Sequence, residues 1–162
     1  MSPEYVEGSK DSIPAEGTIK KDRIKNVKQE FSAGGIVFND KGQVLLTQHS
    51  QNHHWSFPKG LLDHPEQTTE ESALREVREE GGVLAEIAGK VGYSKYVYTF
   101  NNVKIFKVVT YFLMKYVSGD IKDHDWEVSD IGWYEQEEAM KKLTFNQDKE
   151  LLKKAVDRWK EI

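Results

Sequence analysis

Apolar and polar positions along this chain change rhythm several times, and each change marks an element. From residue 31 the run Phe31-Ser32-Ala33-Gly34-Gly35-Ile36-Val37-Phe38 is β-prone, and Asn39-Asp40-Lys41-Gly42 supplies a turn into a second apolar run at residues 43–48. The pair predicts a hairpin at the heart of a sheet. A polar loop, Ser50-Gln51-Asn52-His53-His54, leads into Trp55-Ser56-Phe57-Pro58-Lys59-Gly60, a short alternating segment stopped by its proline. Next comes a helix with a legible start. Thr68 is its N-cap, with Glu71 three residues on completing a capping box, and Pro65 confines what precedes to loop. Ala73, Leu74 and Val77 form the stripe that faces the sheet, and Gly81-Gly82 is the stop.

Three β-prone runs follow, at residues 85–91, 94–100 and 103–116, with Asn101-Asn102 as the turn between the last two. An acidic loop at residues 119–130 contains Glu127, residues 131–134 read as a last short strand, and residues 135–143 as helix. The closing helix, residues 146–162, sets Leu151, Leu152, Ala155 and Trp159 on one side and charges on the other, which assigns it to stability. Residues 1–29 follow neither period for long and are expected to be a polar N-terminal arm, leaving residues 30–162 as one domain. The later part of the arm, residues 20–28, is basic, a run that ordinarily belongs to solvent but has the charge to touch an anionic ligand.

Composition narrows this picture more than it redraws it. A chain of 162 residues supports one core, and no apolar run approaches the roughly 18–20 residues of a membrane span. Without a signal-peptide layout, a cytoplasmic location is expected and no membrane partner. Cysteine is absent, so disulfides, thiolate nucleophiles and thiolate-bound zinc are excluded, and carboxylates and histidines remain as metal ligands. A net charge of -4 argues against a broad nucleic-acid surface while leaving room for a small anion with its own metal.

The chemistry concentrates in Arg75-Glu76-Val77-Arg78-Glu79-Glu80-Gly81-Gly82. On a helix Glu76, Glu79 and Glu80 stand at i, i+3 and i+4, three like charges within one turn. Two readings follow: an exposed helix salt-bridged through Arg75 and Arg78, or a set of hard oxygen ligands for Mg2+ or Mn2+. Lys59 is placed to meet a phosphate oxygen, and Gly60 has no side chain to keep its backbone from a metal. The adjacent His53 and His54 point to opposite sides of an extended chain and make a poor pair of ligands for one ion.

The stretch from Gly60 to Val83 resembles the Nudix box, G-x5-E-x7-R-E-U-x-E-E-x-G-U with U a bulky apolar residue, at Gly60, Glu66, Arg75, Glu76, Val77, Glu79, Glu80, Gly82 and Val83. It departs once. Eight residues instead of seven separate Glu66 from Arg75, so either the loop carries an insertion with Glu66 in the family's place, or Gln67 takes that place. The resemblance implies an α/β fold, an α/β/α sandwich around a mixed β-sheet. It further implies that Glu76, Glu79 and Glu80 bind Mg2+ or Mn2+ with the Gly60 carbonyl assisting, that Arg75 orients a glutamate, and that Glu80 or Glu127 takes the proton from the attacking water.

Within that family AGGIVF, WSFPKG, the run Tyr111-Phe112-Leu113-Met114, and Glu127 ahead of Gly132-Trp133 and Glu137-Glu138-Ala139 look like the diadenosine polyphosphate hydrolases. This implies a nucleotide polyphosphate as substrate, cleaved by water at phosphorus in a monomer or homodimer. Lys59 would bind phosphate, and Tyr96, Tyr98 and Phe100 are candidates to stack an adenine or, equally, to pack the sheet. Alternative substrates are nucleoside diphosphate sugars, oxidised nucleoside triphosphates and RNA 5′ ends, the one nucleic-acid partner expected. A different class, a nucleotide-sensing module without turnover, is disfavoured by the intact helical glutamates.

Overall fold

The computed structural model describes residues 4–7 and 27–162. In chain order the elements are β1 (Glu4–Glu7), β2 (Val27–Phe38), β3 (Val44–His49), β4 (Trp55–Ser56), β5 (Lys59–Leu61), α1 (Thr69–Gly81), β6 (Val83–Phe100), β7 (Val103–Gly119), β8 (Val128–Tyr134), α2 (Gln136–Lys142) and α3 (Asn146–Trp159). The strands join in the order β1-β6-β7-β2-β3-β4, with β5 also on β2 and β8 also on β3. β2 and β7 run parallel over the whole of β2, from Val27 against Lys104 to Phe38 against Lys115, and the other pairs are antiparallel, so the sheet is mixed.

Both faces of the central strands are buried, which is why they read as continuous apolar runs. Ile36, Phe38, Val44, Leu46, Val109, Tyr111 and Leu113 face a core completed by Ala139 and Leu143 and by Leu151, Leu152 and Ala155 of α3. Their neighbours Val37, Leu45, Phe112 and Met114 face the opposite core, with Ala73 and Val77 of α1. Helices on both faces make the α/β/α sandwich. Two adjacent glycines set the spacing: a Cβ on Gly35 would stand 2.6 Å from the Met114 sulfur and 2.8 Å from Val77 Cγ2, while one on Gly34 would stand 2.2 Å from the Pro58 carbonyl oxygen.

The hairpin expected at residues 31–48 is corrected in its pairing. Its turn forms, with Gly42 N donating to Asn39 O at 2.9 Å, but β2 and β3 share only the Phe38–Val44 rung. β5 competes for β2, pairing Ser32–Gly34 with Lys59–Leu61, and β3 turns instead to β8 and β4. The splayed strands admit residues 57–61 to the sheet centre. Two further β-runs, 85–91 and 94–100, prove to be one long strand, β6, whose irregular register is absorbed at Leu84/Ala85, Ile87/Gly89 and Lys90/Gly92. Local bulges of this kind keep pairing going where a glycine would suggest a break. Asn101 and Asn102 both take positive φ, 51° and 63°, as a two-residue hairpin turn requires.

Of the residues expected in an N-terminal arm, Glu4–Glu7 lie on the sheet edge against β6 and β2 already begins at Val27. The rest of that stretch, most of its basic run included, lies outside the described residues. Among the described residues no helix is long and apolar enough to cross a membrane.

Helix α1 starts and stops as its sequence dictates. Thr68 accepts from Glu71 N at 3.1 Å and the Glu71 carboxylate accepts from Thr68 N at 3.3 Å, and Gly82 caps the far end in the left-handed region, φ 74°. Thr68→Ala is expected to lower unfolding free energy by about 1 kcal/mol while Thr68→Ser stays near wild type. Urea denaturation with an unchanged m-value is the check.

Candidate active site

The cleft that the splayed strands open is about 430 Å³ in volume and lies between α1, β5, the end of β3, the middle of β6 and β7, and the loop before β8. That volume falls in the range of small-ligand sites. Its acidic side belongs to α1. Glu76 and Glu80 are buried, 7% and 6% exposed, although they are carboxylates, while Glu79 on the same turn is exposed. Glu80 Oε2 accepts from the backbone N of Lys59 at 2.9 Å, tying the helix to β5. The Glu76 carboxylate lies directly over Gly60, where a Cβ would come within 2.1 Å of it. Only glycine fits there.

Arg75 neutralises part of this charge. Its Nη1 donates to Glu76 Oε1 at 2.8 Å and Glu79 Oε2 at 3.2 Å, its Nη2 reaches Asp63 at 3.4 Å, and its Nε donates to Gln67 Oε1 at 3.0 Å. Glu66 is exposed. In the one-residue-longer loop, Gln67 therefore holds the arginine, and of the two sequence readings the second matches the geometry. The loop before β8 is fastened to the same helix through Asp125 N and Glu79 O at 2.9 Å, bringing Asp125 and Glu127 to the cleft.

A basic wall faces these acids. Lys59 Nζ donates to Ser56 Oγ at 2.8 Å, and Lys107 of β7 lines the same space with His49 and His54. Beyond them the wall becomes aromatic: Phe145 sits 4.9 Å from Tyr96 and 4.9 Å from His54, edge-on in both contacts.

The electrostatics follow from burial and crowding. Burial lifts Glu76 to about 7, with Glu79 and Glu127 adding to the rise against the pull of Arg75. Glu80 is likewise lifted to about 7, chiefly by burial and further by Glu76 and Asp125, with Lys59 opposing. Glu127 and Asp125 are raised by burial and by neighbouring carboxylates. Across the cleft, burial and then Lys59 bring Lys107 down to about 8, and burial with Lys59 lowers both His49 and His54. Each side of the cleft has charge held in check.

Among the described residues no three carboxylate or imidazole groups form a ready-made metal cage. The reason is visible in the hydrogen bonds: Arg75 stands between Glu76 and Glu79, and Lys59 N engages Glu80. The donor chemistry nevertheless fits a hard divalent cation. Buried carboxylates raised toward neutrality are groups that gain from one, and the side-chain-free surface of Gly60 leaves space beside Glu76.

Of the residues singled out from sequence, Lys59, Gly60, Arg75, Glu76, Glu79, Glu80, Tyr96 and Glu127 all line the cleft. Tyr98 is corrected: it is 8% exposed and turned to β2, where its hydroxyl donates to Glu30 Oε1 at 2.5 Å. Phe100 is exposed at the β6–β7 hairpin. His54 lines the cleft, while His53 is exposed and takes a positive φ of 59° in place of the extended backbone expected. Sequence reasoning missed Lys107, His49, Asp125 and Phe145. For Lys107 there was a signal, a lone lysine inside the apolar run of a central strand.

The NUDIX domain family model matches residues 28–155. Among characterised sequences the chain is similar to MutT4, a mutator-type protein of Mycobacterium tuberculosis (strain CDC 1551 / Oshkosh), with 28% identity over 87% of this chain and 64% of the relative. It is also similar to the 8-oxo-(d)GTP phosphatase of Mycolicibacterium smegmatis, with 29% identity over 86% of this chain and 46% of the relative. The chain thus spans less than two thirds of either relative's length. Among solved structures, a C. elegans Ap4A hydrolase in a binary complex superposes with a TM-score of 0.68 at 26% identity, covering 82% of this chain and 99% of that one.

A carboxylate whose pKa rises on folding binds more protons in the folded than in the unfolded state, so stability falls as pH climbs toward and through the folded value. For Glu76 and Glu80 that decline runs through about pH 7, above the ordinary titration of the histidines, whose lowered values act in the opposite sense below about pH 6.5, while Lys107, brought down to about 8, acts in the opposite sense as pH approaches 8. In EDTA, thermal melts should therefore show stability dropping from about pH 6.5 to 7.5, and Glu80→Gln should flatten the slope. An equally steep slope in the variant would contradict this assignment.

Proposed function

This chain belongs to the NUDIX domain family, and from that premise we propose that it is a divalent-cation-dependent hydrolase of nucleoside polyphosphates, with diadenosine oligophosphates as substrates. The observation that carries the reading is the division of one cleft into three parts: an acidic floor on α1, a basic wall of Lys59 and Lys107, and an aromatic end at Tyr96 and Phe145. A cation, a polyphosphate and a nucleobase are the ligands those three surfaces suit.

Bound on Glu76, Glu79 and Glu80 beside Gly60, Mg2+ or Mn2+ supplies charge neutralisation and activation of water. Lys59 and Lys107 take up phosphate oxygens, and the lowered Lys107 recovers its full charge next to an anion. His49 and His54, whose affinity for a proton is lowered by burial and then by Lys59, donate hydrogen bonds as neutral rings without adding charge. Arg75 fixes Glu76 and Glu79 in place. In the step itself the water oxygen bonds to phosphorus, and the bond from that phosphorus to the bridging oxygen breaks. The departing nucleotide keeps the bridging oxygen with its electron pair, and Glu127 or Glu80 accepts the proton from water. Glu127 lies outside the α1 turn and keeps a raised affinity for a proton.

A second reading, oxidised nucleoside triphosphates, is favoured by one feature: a single aromatic end grips one base, and a relative carries the name 8-oxo-(d)GTP phosphatase. Incubating the protein with Mg2+ and a panel of diadenosine tetraphosphate, 8-oxo-dGTP, ADP-ribose and 5′-triphosphorylated RNA separates these from each other and from the sugar and RNA 5′-end alternatives. The expected outcome is ATP plus AMP from diadenosine tetraphosphate, one of them carrying an oxygen from labelled water. Glu79→Gln and Glu80→Gln should each lower kcat at least about a hundredfold in a folded protein. Unchanged turnover in both would remove the assignment.

A further inference from the structure

The aromatic end of the cleft is held from outside by a buried carboxylate. Asp148, on the first turn of α3, is 0% exposed, and its Oδ1 accepts from Ser94 Oγ at 2.6 Å and from the Tyr96 hydroxyl at 2.9 Å. Next to it, Gln147 acts as a strand partner for Lys95, donating from Nε2 to the Lys95 carbonyl at 2.6 Å and accepting Lys95 N at 2.8 Å. Phe145 packs on the Tyr96 ring, and Thr144 is paired with Trp55 on the far flank, Trp55 N to Thr144 Oγ1 at 2.8 Å and Thr144 N to Trp55 O at 3.1 Å. Residues 144–148 thus clasp β4 with one end and β6 with the other.

We propose that Asp148 is a positioning residue for nucleobase recognition: by anchoring the hydroxyl of Tyr96, whose ring is only 2% exposed, it holds that ring as the backing for the half-buried Phe145, and Phe145 presents the aromatic face to the base. This rests on the reading of the cleft as a nucleotide site. A half-buried phenylalanine wedged against a ring that is itself fastened at its hydroxyl has lost its rotational freedom before the ligand arrives, so binding does not have to restrict it. Burial of a carboxyl group is costly unless it is hydrogen-bonded, and an apolar residue at this point of the helix stripe would serve stability better. The bonds to Ser94 and Tyr96 are what the carboxyl group gives in return.

The test uses Tyr96→Phe, which keeps the ring and removes its anchor, Asp148→Asn, and Leu152→Ala, a core change on the same helix that leaves the anchor alone. KM and kcat for diadenosine tetraphosphate and the Kd of AMP by calorimetry are measured well below each melting temperature. Tyr96→Phe and Asp148→Asn should raise KM and Kd by about three- to tenfold with kcat within about twofold of wild type, whereas Leu152→Ala lowers the melting temperature and leaves both constants in place. If Asp148→Asn does not fold, Tyr96→Phe decides. KM and Kd within twofold of wild type in Tyr96→Phe, or an equal rise in Leu152→Ala, overturns the proposal. Failure of the wild type to cut diadenosine tetraphosphate contradicts the substrate reading instead, and the AMP measurement still judges the anchor.

Discussion

One hydrogen bond ties the two sides of the candidate cleft: the backbone N–H of Lys59 on the buried carboxylate of Glu80. It joins the helix that carries the acids to the short strand that carries the lysine, at the point where β2 and β3 part. Without it, a carboxylate packed beneath the cleft would lack that donor, and β5 would lose its tie to α1. The bond also explains an apparent conflict. α1 packs on the sheet like any amphipathic helix, yet two of its buried positions are glutamates: Glu80 takes the Lys59 N–H of β5, and Glu76 the Arg75 guanidinium.

How far the sequence could be read follows from the range of the forces involved. The ends of α1 were legible because capping is local: Thr68, Glu71 and Gly82 act within one turn of the backbone. The turn at Asn101-Asn102 was legible for the same reason. The pairing of β2 with β7 and β5, in place of a simple hairpin with β3, depends on a competition among segments distant in sequence. No local pattern records it. The missed site residues divide similarly. Lys107 and Asp148 broke a local rule, each placing a charge where strand or helix periodicity demands an apolar side chain, Asp148 on the same stripe as Leu151, Leu152 and Ala155. Phe145 and His49 broke none, and only the fold brings them to the cleft.

These two violations share a physical character. Each places an ionisable group in the core face, a burial that is costly unless partners compensate it, and each borders the cleft, Lys107 directly and Asp148 through Tyr96. Apart from these and the two buried glutamates of α1, the core clusters are filled in the ordinary way, by aliphatic and aromatic side chains on both sides of the central strands. Stability is thus supplied by the sheet and its flanking helices, and the exceptions are confined to the surfaces where an anion and a base would be met. The closing helix does both kinds of work, sealing a core with one turn and steadying a cleft residue with the turn before it.

The adjacent glycines of β2 give this division a mutational signature. Gly34 is closed off on one face by Pro58 and Lys59, and Gly35 on the other by Met114 and Val77. A methyl group at the first would push away the strand bearing the lysine, and at the second would push away the helix bearing the glutamates. Acid and base sides of the cleft are therefore gauged from a single dipeptide that lines neither, and substitutions there would register as loss of chemistry in a protein whose cleft side chains are all intact.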